Sequence, residues 1–151
     1  MNNFEGGYLS DNDDMLLDTG ADIGIAIDPH EQMSLVAIDS EMLTEYLGGH
    51  AEAVSVGSGI IFWFSATGAW KTVNRMATLN LLAASGELPR NVPLLWGPVL
   101  VTGSTASGSP RGLTDTQIDV LADGPQPTWL EQLVLSIRQR RAERRRRIST
   151  S

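Results

Sequence analysis

Two pairs of strand-like segments, each pair joined by a turn, constrain the fold of this chain more than any other feature. In the first, isoleucines alternate with small residues over 23–27, and apolar residues return over 33–38. In the second, residues 51–56 and 60–64 flank Gly57-Ser58-Gly59, where glycine permits the positive φ of a short hairpin loop. Because such runs beside turn residues are typical of paired strands, we predict two antiparallel strand pairs.

Helical signals separate these strands. Apolar residues at spacings of three and four follow Asp39 or Ser40, either of which can cap a short helix that ends at Gly48-Gly49. Asn74 can cap a second helix, which we expect to run to about residue 84. A glycine follows each of these predicted helices and can form its left-handed C-cap.

The second half of the chain carries one more strand and two capping boxes. Residues 94–101 have the composition of a strand, but Gly97-Pro98 interrupts them. Because proline cannot donate to the ladder, this pattern predicts an edge strand or a bulge. A glycine- and serine-rich loop is expected at 103–112. Capping boxes at 114–117 and 128–131 then predict a short helix and a long C-terminal helix.

The order of these elements indicates the fold class. Five strands and three helices in mixed order do not repeat a parallel crossover unit, so we expect an α+β fold with a small, largely antiparallel sheet, plus the C-terminal helix. We predict an acidic disordered arm at 1–20, an α+β domain at 21–123 and a Pro/Gly linker at 124–127. An amphipathic, then Arg-rich, C-terminal helix and tail should occupy 128–151. Truncation after Asp123 should leave the domain folded.

Three segments of the domain stand in a characteristic order. They are residues 43–52 (LTEYLGGHAE), 74–78 (NRMAT), and 97–103 (GPVLVTG) followed by 112–117 (GLTDTQ). Within 22–121 they resemble the bacterial and phage family called domain of unknown function 3846. The resemblance implies a small accessory protein, commonly carried by phages and mobile elements, with no established activity and no catalytic residue to carry over.

Composition excludes several classes of protein. The chain has no cysteine, so disulfide scaffolds, thiolate metal sites and cysteine nucleophiles are excluded, and a reducing cytoplasm is favoured. The first 15 residues contain acidic but no basic side chains, which is unlike a secretory signal. The charge-free stretches 53–70 and 91–110 are broken by polar residues, glycine or proline, so no membrane span is expected. We therefore predict a cytoplasmic protein of a bacterial host cell.

Several short clusters suggest chemistry, and each has a structural alternative. Gly103–Gly108 has the glycine spacing of a phosphate-binding loop, but the lysine that should follow is missing, which favours a flexible loop. Asp28, His30 and Glu31 could ligate a metal, yet a solvated turn is the simpler interpretation. Ser58 lacks the glycine spacing and the base of a nucleophile elbow. We therefore expect no enzyme, no catalytic residue, no metal and no cofactor.

Asn74 and Arg75 form a candidate site for a small anionic ligand. A helix N-terminus presents backbone amides to anions, and an arginine beside it adds a bidentate donor. The alternative is a structural cap followed by an arginine that pairs with carboxylates of the acidic domain.

Charge divides the chain into two unequal parts. Residues 1–137 carry a net charge of −13, whereas 138–151 carry +6. The basic end contains seven arginines, Arg138, Arg140, Arg141, Arg144, Arg145, Arg146 and Arg147. Guanidinium groups suit phosphate, so we predict that these residues bind nucleic acid, through backbone charge rather than base sequence. An acidic protein partner, or self-neutralisation on the acidic domain, remains open.

A helical projection places the apolar residues of the C-terminal helix on one stripe. That stripe consists of Leu130, Leu133, Val134 and Ile137 and is prolonged by Arg141, Arg144 and Arg145. We expect the apolar half to dock on the domain, and the arginine half to fray for lack of an anionic partner.

The function expected from these patterns is that of a non-enzymatic phage or mobile-element accessory protein. Its Arg-rich C-terminal helix would bind nucleic acid or an acidic partner. The alternative is an anti-defence protein that acts by nucleic-acid mimicry or by sequestering a small anionic ligand. The oligomeric state is left open by the sequence.

Overall fold

The computed structural model describes residues 22–39, 41–48, 50–123 and 126–149, which form a six-stranded antiparallel sheet with four helices. The strands are β1 Ile23–Ile27, β2 Met33–Ala37, β3 Ala51–Ser55, β4 Ile60–Ser65, β5 Val99–Ser104 and β6 Pro110–Arg111. The helices are α1 Met42–Leu47, α2 Arg75–Ser85, α3 Asp115–Asp123 and α4 Trp129–Ser149. The α+β class and the antiparallel sheet are confirmed. The arm predicted at 1–20, and Gly124-Pro125 of the predicted linker, lie outside the described residues.

The sheet has the order β2-β1-β5-β4-β3, and β6 pairs with the end of β5. Its register aligns one apolar row across all five main strands: Leu35, Ile25, Val101, Phe62 and Val54. Three members of this row belong to the buried core, and the two on the outer strands pack against it. The alternation over 23–27 predicted a strand with one buried face, but all five residues of β1 are buried.

Helix α2 and the following loop complete this core. Ala77 and Leu81 of α2, together with Val92 and Leu95 of the loop, are fully buried in the same cluster as the sheet residues. Helix α1 contacts β3, β4 and β5 and buries Leu47 outside that cluster. Within the described residues, no helix is long and apolar enough to cross a membrane.

Strand β5 lies at the centre of the sheet, so the predicted edge strand or bulge is wrong. It begins at Val99, after the proline, and therefore pairs with β1 on one side and β4 on the other without a missing donor. Gly97 has a φ of 70° and turns the chain into the strand. The loop expected at 103–112 also contributes structure, because β5 continues to Ser104 and pairs with Pro110–Arg111 as a hairpin.

Most predicted helix caps are confirmed. In α3, Thr114 and Gln117 exchange side-chain to backbone hydrogen bonds of 2.9 and 3.1 Å. In α4, Thr128 and Glu131 do the same at 2.9 and 3.2 Å. The α1 cap is different from the prediction. Glu41 takes the N-cap position and makes no side-chain bond there, and the Asp39 carboxylate accepts from the Glu41 amide. Ser40, the other predicted cap, lies outside the described residues.

Candidate nucleic-acid interface

Helix α4 docks on the domain through a face that the sequence projection did not select. Leu135 is 0% exposed and belongs to the main core cluster. Leu130, Leu133 and Ile137, which were expected to dock, are 55%, 48% and 43% exposed. Val134, the fourth apolar residue of the predicted stripe, is half-buried, so most of the stripe but not all of it faces away from the domain. The projection failed because it counted only apolar side chains, whereas polar contacts also hold α4 to the domain.

Arg138 anchors the middle of α4 to the loop after α2. Its Nη1 donates to the backbone oxygens of Pro89 at 2.6 Å and Val92 at 2.8 Å. Near the start of α2, Nη1 of Arg75 donates to Oγ of Ser136 at 2.6 Å. These bonds join α4 to the first residue of α2 and to the loop after α2, so both arginine side chains contact other parts of the fold.

Glu143, the one acidic residue in the basic run, is a second anchor. Its Oε2 accepts from the backbone amide of Val73 at 2.8 Å and from Nε2 of Gln139 at 3.3 Å. Val73 also forms an isolated β-bridge with Trp96. The Glu143 carboxylate therefore holds α4 at the point where the segments of Val73 and Trp96 pair. Sequence analysis missed Glu143, although a lone acid among seven arginines was a signal that this helix turn had a specific contact.

Arg146 packs inward near the end of α4. Its Nη1 donates to the backbone oxygen of Trp70 at 2.8 Å, and its guanidinium carbon lies 3.6 Å from the centre of the Trp96 ring. Partial desolvation lowers the pKa of Arg146 from its ordinary value, although an arginine stays charged at neutral pH. This cation–π contact holds the arginine half of α4 against the domain. The fraying that was predicted there is wrong, because the helix continues to Ser149.

The other arginines of the run lie on the outer side of α4. Arg140, Arg141, Arg144 and Arg145 are exposed, and their side chains make no hydrogen bond or ion pair with the described residues. Arg147 is exposed as well. At 1.5 Å per residue, Arg140 and Arg145 are about 8 Å apart along the helix axis. We call Arg140, Arg141, Arg144 and Arg145 the outer arginines.

Asn74, the first candidate ligand residue, is completely buried. Its Oδ1 accepts from the Ala77 amide at 3.0 Å, which confirms the predicted cap. Its Nδ2 donates to the backbone oxygens of Ile27 and Gly97, both at 2.8 Å. The side chain thus ties β1, α2 and the segment before β5 together. This geometry favours the capping explanation over a ligand site. The neighbouring side chain of Arg75 donates to Oγ of Ser136.

The remaining sequence candidates form ordinary turns. The Asp28 carboxylate accepts from the amides of His30 and Gln32, as expected for a turn. At the tip of the β5–β6 hairpin, hydroxyls of Thr105 and Ser109 bond within the turn. In the part of the chain that the structure describes, no group of three histidine, aspartate or glutamate side chains could hold a metal ion.

A groove of about 410 Å³ lies beside α1. Its lining includes Tyr46, Ser65, Thr67 and Trp70, and no basic residue. Burial raises the pKa of Tyr46 to about 12, with a smaller contribution from the negative charge of Asp28. A groove without a cation does not suit the anionic ligand considered from the sequence.

No family model matches this chain, and neither a curated protein nor a solved structure matches it. The resemblance to domain of unknown function 3846 stays a prediction from the three sequence segments.

Proposed function

We propose that this protein binds nucleic acid through the phosphate backbone, using the outer arginines of α4, and that it has no catalytic activity. One observation carries the proposal. Four exposed arginines stand on a helix whose other side is fixed by Leu135, Arg138, Glu143 and Arg146. The outer arginines therefore form a basic surface on a helix that is fixed to the domain.

Rigidity supports binding because an ordered helix loses less conformational freedom on contact than a loose tail does. Duplex DNA carries a negative charge about every 1.7 Å of its axis, so the roughly 8 Å from Arg140 to Arg145 can face several phosphates at once. Because these contacts would be made to phosphate, we propose sequence-independent binding. Backbone contacts position a protein without specifying a sequence.

The acidic residues elsewhere in the chain confine the contact with phosphate to the outer arginines. Residues 1–137 carry −13, which repels phosphate at low salt. At physiological ionic strength this repulsion is screened beyond about 8 Å, so the outer arginines at the far end of α4 act locally. The phage or mobile-element origin and the cytoplasmic location belong to the same proposal.

Fluorescence anisotropy with labelled DNA and RNA at low ionic strength tests the proposal. The variant Arg140→Gln/Arg144→Gln should weaken binding at least tenfold, because two phosphate contacts are lost. A matched control is Arg90→Gln/Arg111→Gln, which removes two exposed arginines outside α4 and should change affinity less than twofold. Full-length protein that binds neither DNA nor RNA would refute the proposal. Equal losses in both variants would show that net charge, rather than this helix face, attracts the ligand.

A further inference from the structure

Beside the outer arginines, α4 carries an apolar patch on the same outward side. The patch consists of Trp129, Leu130, Leu133 and Ile137, of which Trp129 is 77% exposed. Together they expose on the order of 400 Å² of apolar surface, which for a small chain is a contiguous patch rather than scattered single residues. Among the residues that the structure describes, the domain leaves this patch exposed, because α4 docks through Leu135 on its other face.

We propose that a second copy of this chain covers the apolar patch, with the two α4 helices packed antiparallel around a two-fold axis. Such an interface requires a patch that is complementary to itself. The patch meets that requirement, because Leu130 and Ile137 lie at nearly equal distances on either side of Leu133. When the axis passes beside Leu133, Leu130 of each copy faces Ile137 of the other, at the spacing that lets helix side chains interdigitate.

Charge selects the antiparallel arrangement. In a parallel pair the outer arginines of the two copies would face each other along the whole basic half. In an antiparallel pair the helices overlap over about residues 129–138, and the basic halves extend beyond the overlap at opposite ends. The two Arg144 side chains then start about 32 Å apart along the axis, well beyond the screening length of about 8 Å.

The area of the patch sets the expected strength. Two patches contribute on the order of 800 Å² of apolar surface, and with a polar rim they approach the lower limit of about 1,200 Å² for specific interfaces. We therefore expect a dimer that dissociates on dilution, with a Kd in the micromolar range. This pairing does not depend on the proposed function.

The mass of the full chain in solution tests the pairing without nucleic acid. Sedimentation equilibrium between about 1 and 500 μM should show a shift from the 16.3 kDa monomer to twice that mass. Leu133→Asp should raise the dimer Kd at least tenfold. The matched control is Leu88→Asp, which changes a leucine of similar exposure, 51%, outside α4. A monomer at all concentrations, or equal effects of the two substitutions, would overturn the proposal and assign the patch to a different partner.

Cysteine cross-linking tests the direction of the helices, because the natural chain has no cysteine. Leu133→Cys lies beside the proposed axis, so mild oxidation should give a covalent dimer. Ile148→Cys lies at the far ends of the antiparallel pair, beyond the short Cα separation a disulfide requires, and should stay monomeric. Cross-linking of both variants would indicate a parallel pair, and cross-linking of Ile148→Cys alone would place the interface elsewhere. Either result contradicts the proposal, whatever the outcome of the nucleic-acid experiment.

Discussion

The two sides of α4 are built from similar residues but differ in what those residues do. On the inner side, leucine and arginine are buried or half-buried and hold the helix to the domain through Leu135, Arg138 and Arg146. On the outer side, leucine and arginine are exposed and make no comparable contact with the described domain. The number of arginines in a run therefore does not indicate how many can bind a ligand. The position of each arginine around the helix decides whether its side chain can bind a ligand.

Removal of α4 should have the largest effect on this comparison. Truncation after Asp123 deletes Leu135 from the core and leaves the Val73 amide without the Glu143 carboxylate. Although the sequence suggested a domain that folds without its C-terminal helix, the packing predicts loss of cooperative unfolding. Thermal unfolding followed by circular dichroism checks this. A truncated protein with a sharp, unchanged transition would show that the inner side of α4 adds nothing to stability.

Alanine substitution of one leucine on each side should give the next largest difference. Leu135→Ala is expected to lower the free energy of unfolding by about 2–4 kcal/mol, because it leaves a cavity in a fully buried site. Leu133→Ala, at a half-exposed site, should cost less than about 1 kcal/mol. Urea unfolding at low protein concentration, where self-association does not contribute, measures both. Equal losses would remove the distinction between the two sides.

Two arginine substitutions, one on each side of α4, extend the comparison of the two sides to charged residues. Arg138→Gln removes charge-assisted bonds to two carbonyls and should cost about 1.5–3 kcal/mol. Arg141→Gln, on the outer side, should change stability by no more than about 0.5 kcal/mol. Urea unfolding in the same buffer checks both values. If Arg141→Gln proved the more damaging, the outer arginines would have a structural role and the assignment of the two sides would fail.

The smallest effect concerns Tyr46, which lies in the groove beside α1. Because burial raises the pKa of Tyr46 to about 12, above its ordinary value of 10, the folded state favours the neutral phenol. The corresponding stability is present below pH 10 and is lost as the pH rises from 10 towards 12. In a Tyr8→Phe background, the tyrosinate absorbance of Tyr46 should titrate near pH 12. A midpoint near pH 10 in folded protein would show that the phenol is solvated.

The sequence predicted local structure well where the signal is local. Capping boxes at Thr114 and Thr128, the Asn74 cap and the Gly59 hairpin turn depend on residues a few positions apart, and all four form as expected. The antiparallel sheet followed from alternation and short turns. These features need no knowledge of distant parts of the chain.

Prediction failed where long-range polar contacts decide the result. The orientation of α4 depends on Glu143 meeting the Val73 amide and on Arg146 meeting Trp96, pairs separated by about 70 and 50 positions. A helical projection sees only the apolar stripe, so it assigned that stripe to the domain. Pro98 led to a wrong prediction for a related reason. Whether it lies inside β5 or before it depends on which residues pair with β1 and β4.

The salt dependence of nucleic-acid binding tests the central claim most directly. If the outer arginines make about four phosphate contacts, log K should fall with log salt with a slope of about −2.8 to −3.6. Replacement of all four outer arginines with glutamine should flatten this slope almost completely for every sequence tested, whereas Arg138→Gln, measured where the protein remains folded, should leave it nearly unchanged. Equal slopes for the wild type and the fourfold variant would contradict the claim that the outer side of α4 binds phosphate.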